Sequence, residues 1–564
     1  MRAEWSSARG IRCVWSGIGL VLVASLLLGA CAPAAPAPAK PAEAAKPTEV
    51  AKPAAEAKPA EKPAAAGQVG PKQTFVWGQV SDPSNLDPHF SLDGYAGSMI
   101  VQAYERLLRY KAGTRTELEG ELAESWTASP DGLTWTFKLR PNTRFADGSA
   151  LDSTAVKWSF DRLFALKAGP STPLQAIDRI ETPDPRTIVM TLKEPFAPFA
   201  SALTQNGASI VNPKVQQYEK DGDAAKGWLA TNMMGSGLYQ QSEWVKGQRL
   251  VMDIVPEHWS GRAANASIRR LIAKIVTELS DLRLQLEKGD IDHAYGLEPS
   301  QVRALSDKPG ITIYKDAYLD FIYIYLMSAK PPFDKKELRQ ALAYAVDNKR
   351  LSDELLGDGG RPLNGPIGFG MLCYDESNQG YGYDPAKAQQ LLTQAGYPGG
   401  RGLDFELLYS TSTVGAEEVV VAVQAMWSAV GVQARVTKIA EATRRERIDK
   451  GDTQATLGQW QPGPPDPFNT LNRWYDSRFH GLGVNRAFYT NSEADDLIRK
   501  AAVGTSEQER CNLYRQAQKI VVDDAPYITL YQQDLQLAIR QEVQGFNVAP
   551  NSRSTFDFST MSKS

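Results

Sequence analysis

Four histidines and four cysteines are the residues with which metal binding or nucleophilic chemistry would begin in this chain. Zinc needs three or four such ligands brought together, and a nucleophile needs a base within hydrogen-bond reach. His89, His258, His293 and His480 are scattered without metal-ligand spacing, and neither Gly-x-Ser-x-Gly nor His-Glu-x-x-His occurs. Cys373 and Cys511 lie far apart and form no C-x-x-C pair; they read either as one disulfide or as two buried free thiols. No catalytic residue, metal site or cofactor is therefore expected, and the chain is not read as an enzyme. Recognition chemistry is what remains. The loop Gly458-Gln459-Trp460-Gln461-Pro462-Gly463-Pro464-Pro465-Asp466-Pro467 sets one large ring between two neutral amides. Such a ring stacks on a ligand face while amides hydrogen-bond its hydroxyls, as a sugar would require. Taken alone, a tryptophan is more often core than contact.

Everything that positions this loop follows an export signal. Arg2, Arg9 and Arg12 precede an apolar run from Ile18 to Leu28, broken only by Gly19 and Ser25, and then Leu28-Gly29-Ala30-Cys31. The run is shorter than the ~20 residues a membrane span needs. Its ending resembles a bacterial lipobox, which implies that residues 1–30 are removed and Cys31 is lipidated. Residues 31–72 are nearly all Ala, Pro, Lys and Glu, with Lys-Pro pairs beginning at Lys40, Lys46, Lys52 and Lys58. Proline at that frequency breaks helices, and no aromatic residue is present to seed a core. This segment is expected to be a disordered tether.

The body beyond it is globular in composition. With 564 residues, 42% hydrophobic and 23% charged, the chain is too long for one core and rich enough for several. A net charge of -3 without any Lys/Arg cluster excludes nucleic acid as a partner. Alternation puts Trp135, Phe137 and Leu139 on one strand face, and Ile188, Met190 and Leu192 on another. Leu338, Ala341, Leu342, Ala345 and Val346 mark one face of a helix. The clearest unit runs strand, helix, strand: Phe405–Tyr409, then Val419–Val430 with a stripe of Val419, Val423, Met426, Trp427 and Val430, then Val432–Ile439. Short joints make this a parallel crossover. Ser506 and Glu509 have capping-box spacing ahead of a helix whose core face is read as Leu513, Ala517 and Ile520. An α/β fold of at least two lobes follows, with ligand expected at the carboxyl ends of strands.

From about Thr74 to Phe546 the sequence resembles the family-5 extracellular solute-binding proteins of ABC importers. The likeness is carried by Asn85-Leu86-Asp87-Pro88-His89, Tyr104-Glu105-Arg106-Leu107-Leu108, Leu122-Ala123-Glu124-Ser125-Trp126 and Asp131-Gly132-Leu133-Thr134-Trp135-Thr136-Phe137. Further on come Phe145-Ala146-Asp147-Gly148, Gly235-Ser236-Gly237-Leu238-Tyr239, Pro332-Phe333-Asp334, Asp466-Pro467 and Asp524-Ala525-Pro526. The resemblance implies a two-lobed, Venus-flytrap, periplasmic-binding-protein-like α/β fold. Lobe one would take residues 73–330 with an extra subdomain near 108–205, lobe two 331–524, and residues 525–564 would return to lobe one. It implies a monomeric, extracytoplasmic lipoprotein that touches the membrane only through its lipid. That protein would close on a solute and deliver it to the transmembrane subunits of a permease. A sensor feeding a signalling partner, or a carrier of metal chelates or haem, are the competing readings.

For the site, the resemblance is informative where it fails. In peptide-binding relatives an aspartate three residues after the loop tryptophan pairs with the ligand ammonium; here that position is Gly463. A second pocket tryptophan of some relatives is replaced near Glu441. A neutral or oligosaccharide-like cargo held by Trp460, Gln459 and Gln461 is therefore favoured over a peptide. Asp93 or Glu441 stand as alternative ammonium partners. Leu92, Asp93, Gly94 and Tyr95 fall where relatives contact ligand backbone. Ser236 either reaches the cleft or merely sits between glycines that permit a tight crossover. Thr413 and Ala416 open the helix of the crossover unit, where ordinary capping competes with ligand contact.

Overall fold

A computed structural model of the protein describes residues 69–564 other than 411, 412, 414, 482, 483 and 549–555. Cys31 and the Lys-Pro segment lie outside the described residues. Among those described, no helix is long and apolar enough to cross a membrane.

The run Tyr318-Leu319-Asp320-Phe321-Ile322-Tyr323-Ile324-Tyr325-Leu326 is apolar on both of its alternating faces, save one aspartate. A strand of that kind is stable only when covered on both sides. It forms the end of Ile311–Leu326, which runs antiparallel to Tyr527–Arg540. These two long strands are the middle of a sheet of 11 strands. On one side lie Ala455–Trp460, Asp404–Tyr409 and Gln433–Lys438; on the other His293–Tyr295, Thr74–Gln79, Arg270–Ile275, Arg249–Ile254 and Tyr239–Val245. Gly360–Pro362 pairs with Tyr527–Arg540 off this path.

Both long strands feed two cores. Ile322, Ile324, Leu326, Ile528 and Leu530 pack with Leu338, Leu342, Phe405, Val423 and Trp427. Tyr318, Leu535 and Leu537 pack instead with Phe75, Trp77, Met99 and Leu271. Between the cores the register of the pair slips, once between Asp316 and Asp320 and again between Ile322 and Tyr323. Such irregularities bend and twist a strand locally. The opposite face, with Phe321, Tyr323 and Tyr325, is covered by Trp474, Tyr475, Tyr514 and Ala517.

The crossover unit read from the sequence is present: Asp404–Tyr409, helix Ala416–Ala429 and Gln433–Lys438, the two strands parallel. Val419, Val423 and Trp427 of its stripe are fully buried. Thr134–Leu139 and Thr187–Leu192 pair antiparallel in a separate four-stranded sheet with its own core around Phe137, Leu139, Ile188 and Met190. Its helix Ser153–Leu166 is tied back by Arg162, which donates to both oxygens of the fully buried Asp87 at 3.0 and 2.6 Å.

Two readings change. Helix Glu507–Asp524 is capped by Ser506, but its buried face is Arg510, Cys511, Tyr514, Ala517, Gln518 and Val521; Leu513 and Ile520 are only partly covered. Polar residues take the core face because each finds a partner there: Arg510 pairs with Asp466 at 2.9 Å, and Gln518 accepts from the Ile367 amide at 3.2 Å. Cys511 on that same face is bonded to Cys373, so the free-thiol alternative gives way to a disulfide.

Candidate ligand-binding cleft

Asp404–Tyr409 and Ala455–Trp460 are parallel neighbours, so their carboxyl ends open in one direction, where open α/β sheets hold ligands. Side chains alternate along a strand, which sends Gln459 to one face and Trp460 to the other. The Gln459 amide donates to both oxygens of Asp320 at 2.8 and 2.9 Å, and the Gln461 amide to one of them at 3.2 Å. Asp320 has no exposed surface and stands at the register slip of the long strands. Trp460 donates its indole N–H to the Asn469 carbonyl at 2.8 Å, and its half-buried ring packs on the Tyr323 and Trp474 core. The polar groups that the sequence reading left for a sugar are thus engaged within the protein.

At Gly463 a Cβ would meet only the Gln205 amide, with Oε1 3.8 Å away. Gly463 is therefore faced by a neutral group. Gln205 belongs to the same segment as Phe196, whose ring meets Phe468 edge-on at 5.1 Å. Ala197 adds a backbone bond to Ala502 at 2.9 Å. The four-stranded subdomain therefore touches the Trp460 loop and its neighbours.

Two cavities adjoin, sharing Glu298, Arg303, Leu356 and Gln533 in their linings. The larger, about 630 Å³, is lined by Glu298, Ser300 and Arg303 from one half and by Tyr409, Thr413 and Tyr531 from the other. The smaller, about 260 Å³, is lined by Tyr95, Tyr295, Gly296 and Asp534. Gln533 lines both and is the cross-strand partner of Asp320. Tyr95 and Tyr295 meet edge-on at 5.3 Å. Burial raises the Tyr95 hydroxyl above its ordinary pKa, with Tyr295 and Asp93 adding to it, so the ring stays neutral.

The other residues read from the sequence are spread more widely. Asp93 caps helix Gly94–Ala103, accepting from the Tyr95 and Ser84 amides at 2.8 and 2.6 Å, so its carboxylate is committed to backbone. Gly94 starts that helix beside the Tyr295 hydroxyl. Leu92 is 79% exposed and leans toward Gly169. Thr413 is buried at the larger cavity, and its carbonyl accepts from the Ala416 amide at 3.2 Å in the turn before the helix, whose N-cap is Gly415 without a side-chain cap. Glu441 pairs with Arg444 at 2.7 Å and accepts from the Ser410 hydroxyl at 2.7 Å. Ser236 is not brought to the cleft. It is fully buried, with its carbonyl bonded to His258 at 2.9 Å. A Cβ on flanking Gly235 or Gly237 would stand 2.2 or 2.1 Å from backbone oxygens of Ala103 and Gln102, so the glycines serve the tight crossover. Sequence reasoning missed Asp320, Gln533 and Tyr531. The one available signal was an aspartate inside an otherwise apolar strand.

Comparison with known proteins agrees with this architecture. Residues 117–480 match the model of the bacterial extracellular solute-binding proteins, family 5 Middle. The chain is 38% identical over 496 residues to the probable D,D-dipeptide-binding periplasmic protein DdpA of Escherichia coli, covering 87% of this chain and 95% of that one. It is 28% identical to heme-binding protein A of Haemophilus influenzae, covering 81% of this chain and 86% of that protein. The solved structure of HbpA2 from Haemophilus parasuis superposes with a TM-score of 0.79 at 26% identity, covering 87% of this chain and 100% of that one. The solved neighbours share the two-lobed, mixed α/β architecture, and the chain belongs to the bacterial extracellular solute-binding proteins, family 5.

Proposed function

We propose that the protein captures a short peptide, of dipeptide size, between its lobes and presents it to the transmembrane subunits of an ABC importer. The observation that carries the cargo is the Gln459–Asp320–Gln461 cluster. It withdraws the amides on which a sugar would depend, engaging them with a carboxylate that is itself fully buried. Size agrees: about 630 Å³ is the volume of a small-ligand site, too little for a long peptide. The likeness to a probable D,D-dipeptide-binding protein supports the same reading. It displaces the oligosaccharide expectation for the reason just given.

Lobe boundaries near 73–330 and 331–524, with the return after 525, accompany this proposal and are supported by the separate cores on the two sides of the sheet. Anchoring through Cys31 rests on the leader sequence.

A thermal-shift screen tests the cargo. A ligand of the closed state at a hundred times its Kd stabilises by ~2.7 kcal/mol. Dipeptides in the L,L and D,D series are expected to raise the melting temperature while oligosaccharides leave it unchanged. The reverse pattern would overturn the proposal.

A further inference from the structure

The four-stranded subdomain is tied to the two halves of the long sheet by contacts of very different strength. Toward the half that carries Thr74–Gln79 the tie is buried. Arg162 and Asp87 form an ion pair at 2.6 Å with almost no exposed surface, and Arg162 also donates from Nε to the Ala224 carbonyl at 2.8 Å. Such a pair is costly to separate, because each partner would be left as an uncompensated buried charge. Arg115 adds a second tie from the hairpin of Leu108–Tyr110 and Leu118–Gly120 that leads into the subdomain. It donates to the Asp316 carboxylate and to the Ala317 carbonyl, where the register slip of the long strands begins. The subdomain is therefore fixed to this half as far as the bend.

Toward the half that carries Trp460 the contacts are few and easily undone. The Ala197 amide donates to the Ala502 carbonyl at 2.9 Å, in the last turn of helix Ser492–Val503. The last carbonyls of a helix have no partner within it, so water can replace that amide at little cost. The Phe196 and Phe468 rings meet edge-on at 5.1 Å. Gly132, at φ +69°, brings its turn so close that a Cβ there would stand 3.2 Å from Cγ2 of Thr505. Between these contacts remains a cavity of about 440 Å³, lined by Ser129, Trp135 and Pro195 on one side and by Val503, Thr505 and Glu507 on the other. A gap of this kind forfeits dispersion, so the two surfaces are packed less tightly than a core. Both edges of the grip border the binding loop. Phe468 directly follows Asp466-Pro467, and Gln205, on the same segment as Phe196, faces Gly463. Rotation of the halves about the register slip would part these surfaces while the Arg162–Asp87 tie holds.

We propose that the subdomain is a clasp: built onto one half, it grips the other through Phe196, Ala197 and Gly132 and sets how often the halves stand closed. It acts on affinity without touching cargo. A receptor whose competent state is only a fraction of the population binds with its intrinsic Kd divided by that fraction, whatever the solute. The clasp is therefore independent of the short-peptide reading.

Hydrogen exchange and small-angle scattering of the full chain, with no cargo added, test it. Exchange of the Ala197 amide reports release of the grip, and the radius of gyration reports parting of the halves. Phe196→Ala and Phe468→Ala each remove one ring of the edge-on pair. Each is expected to speed exchange at Ala197 by ~2–10-fold, the worth of such a pair, and to enlarge the radius of gyration. Exchange in the strands around Phe137 and Ile188 should keep its wild-type rate, because the core of the subdomain is left whole. Phe196 also leans on that core, so if Phe196→Ala speeds exchange throughout the subdomain, Phe468→Ala, which lies outside it, decides. Unchanged exchange at Ala197 in Phe468→Ala would overturn the proposal. Faster exchange there with an unchanged radius would overturn it as well, because the contact would then be local packing with no hold on the halves.

Discussion

Breaking the Cys373–Cys511 bond should lower stability and loosen the site loop together. The cysteines are 138 residues apart, so the bond closes a long loop. Loop-closure entropy for that length is about 17 cal/mol/K, or ~5 kcal/mol at 25 °C, and measured disulfides more often deliver ~2–4 kcal/mol. With an unfolding entropy of ~2.1 cal/mol/K per residue, a chain of roughly 500 residues shifts its midpoint by ~1 °C per kcal/mol. A loss of ~2–5 °C is therefore expected. The bond also reaches the site. The Leu372 amide, beside Cys373, donates to the Pro465 carbonyl at 2.9 Å, and Pro465 belongs to the Trp460 loop. Scanning calorimetry of the protein with and without a thiol reductant, and of the Cys373→Ala/Cys511→Ala double variant, reads the first effect. Dipeptide affinity of the same samples reads the second. An unchanged midpoint in both reduced and double-variant protein would refute the argument, as would a peptide map lacking the cross-linked pair.

Acid should destabilise the protein through its buried histidines. His89, His258 and His293 are each lowered from 6.5 to about 4, chiefly by burial, so between those values the unfolded chain holds more protons and stability rises with pH. Glu105, raised to about 7 chiefly by burial, acts in the opposite sense between about 4.5 and 7, one group against three. The urea midpoint is therefore expected to climb from pH 4.5 to 6.5; a midpoint highest at pH 4.5 would contradict this. Intact mass of the membrane-extracted protein should show a chain starting at Cys31 with acyl groups, and Cys31→Ser should lose both the groups and the membrane fraction; an unacylated, membrane-free wild type would refute the anchor.

Much of the scaffold was legible in the sequence because local pattern and tertiary demand agree there. The crossover unit at 404–438 is an example: its strands alternate, its helix carries one apolar stripe, and its joints are short. Helix Glu507–Asp524 shows where such reading stops. Its core face carries Arg510 and Gln518, and nothing local announces that Asp466 and Ile367 will receive them. The candidate site was legible only in part for the same reason. The Trp460 loop could be found by its residue types, but the meeting of Gln459 with Asp320 spans 139 residues of sequence. Asp93 shows the same ambiguity: an aspartate ahead of a glycine-led helix serves as a cap, and residue type alone does not separate that role from ligand contact.

The two long central strands have a consequence for how the protein can be taken apart. Since Ile311–Leu326 and Tyr527–Arg540 supply side chains to both cores, a cut between the cores leaves each fragment with half a ribbon. An isolated fragment would expose an unpaired apolar edge, the usual start of aggregation. The molecule is better regarded as one bent girder with two loaded ends than as two modules on a linker. Transplanting its specificity into a relative therefore means exchanging loops at the carboxyl edge and leaving the ribbon whole.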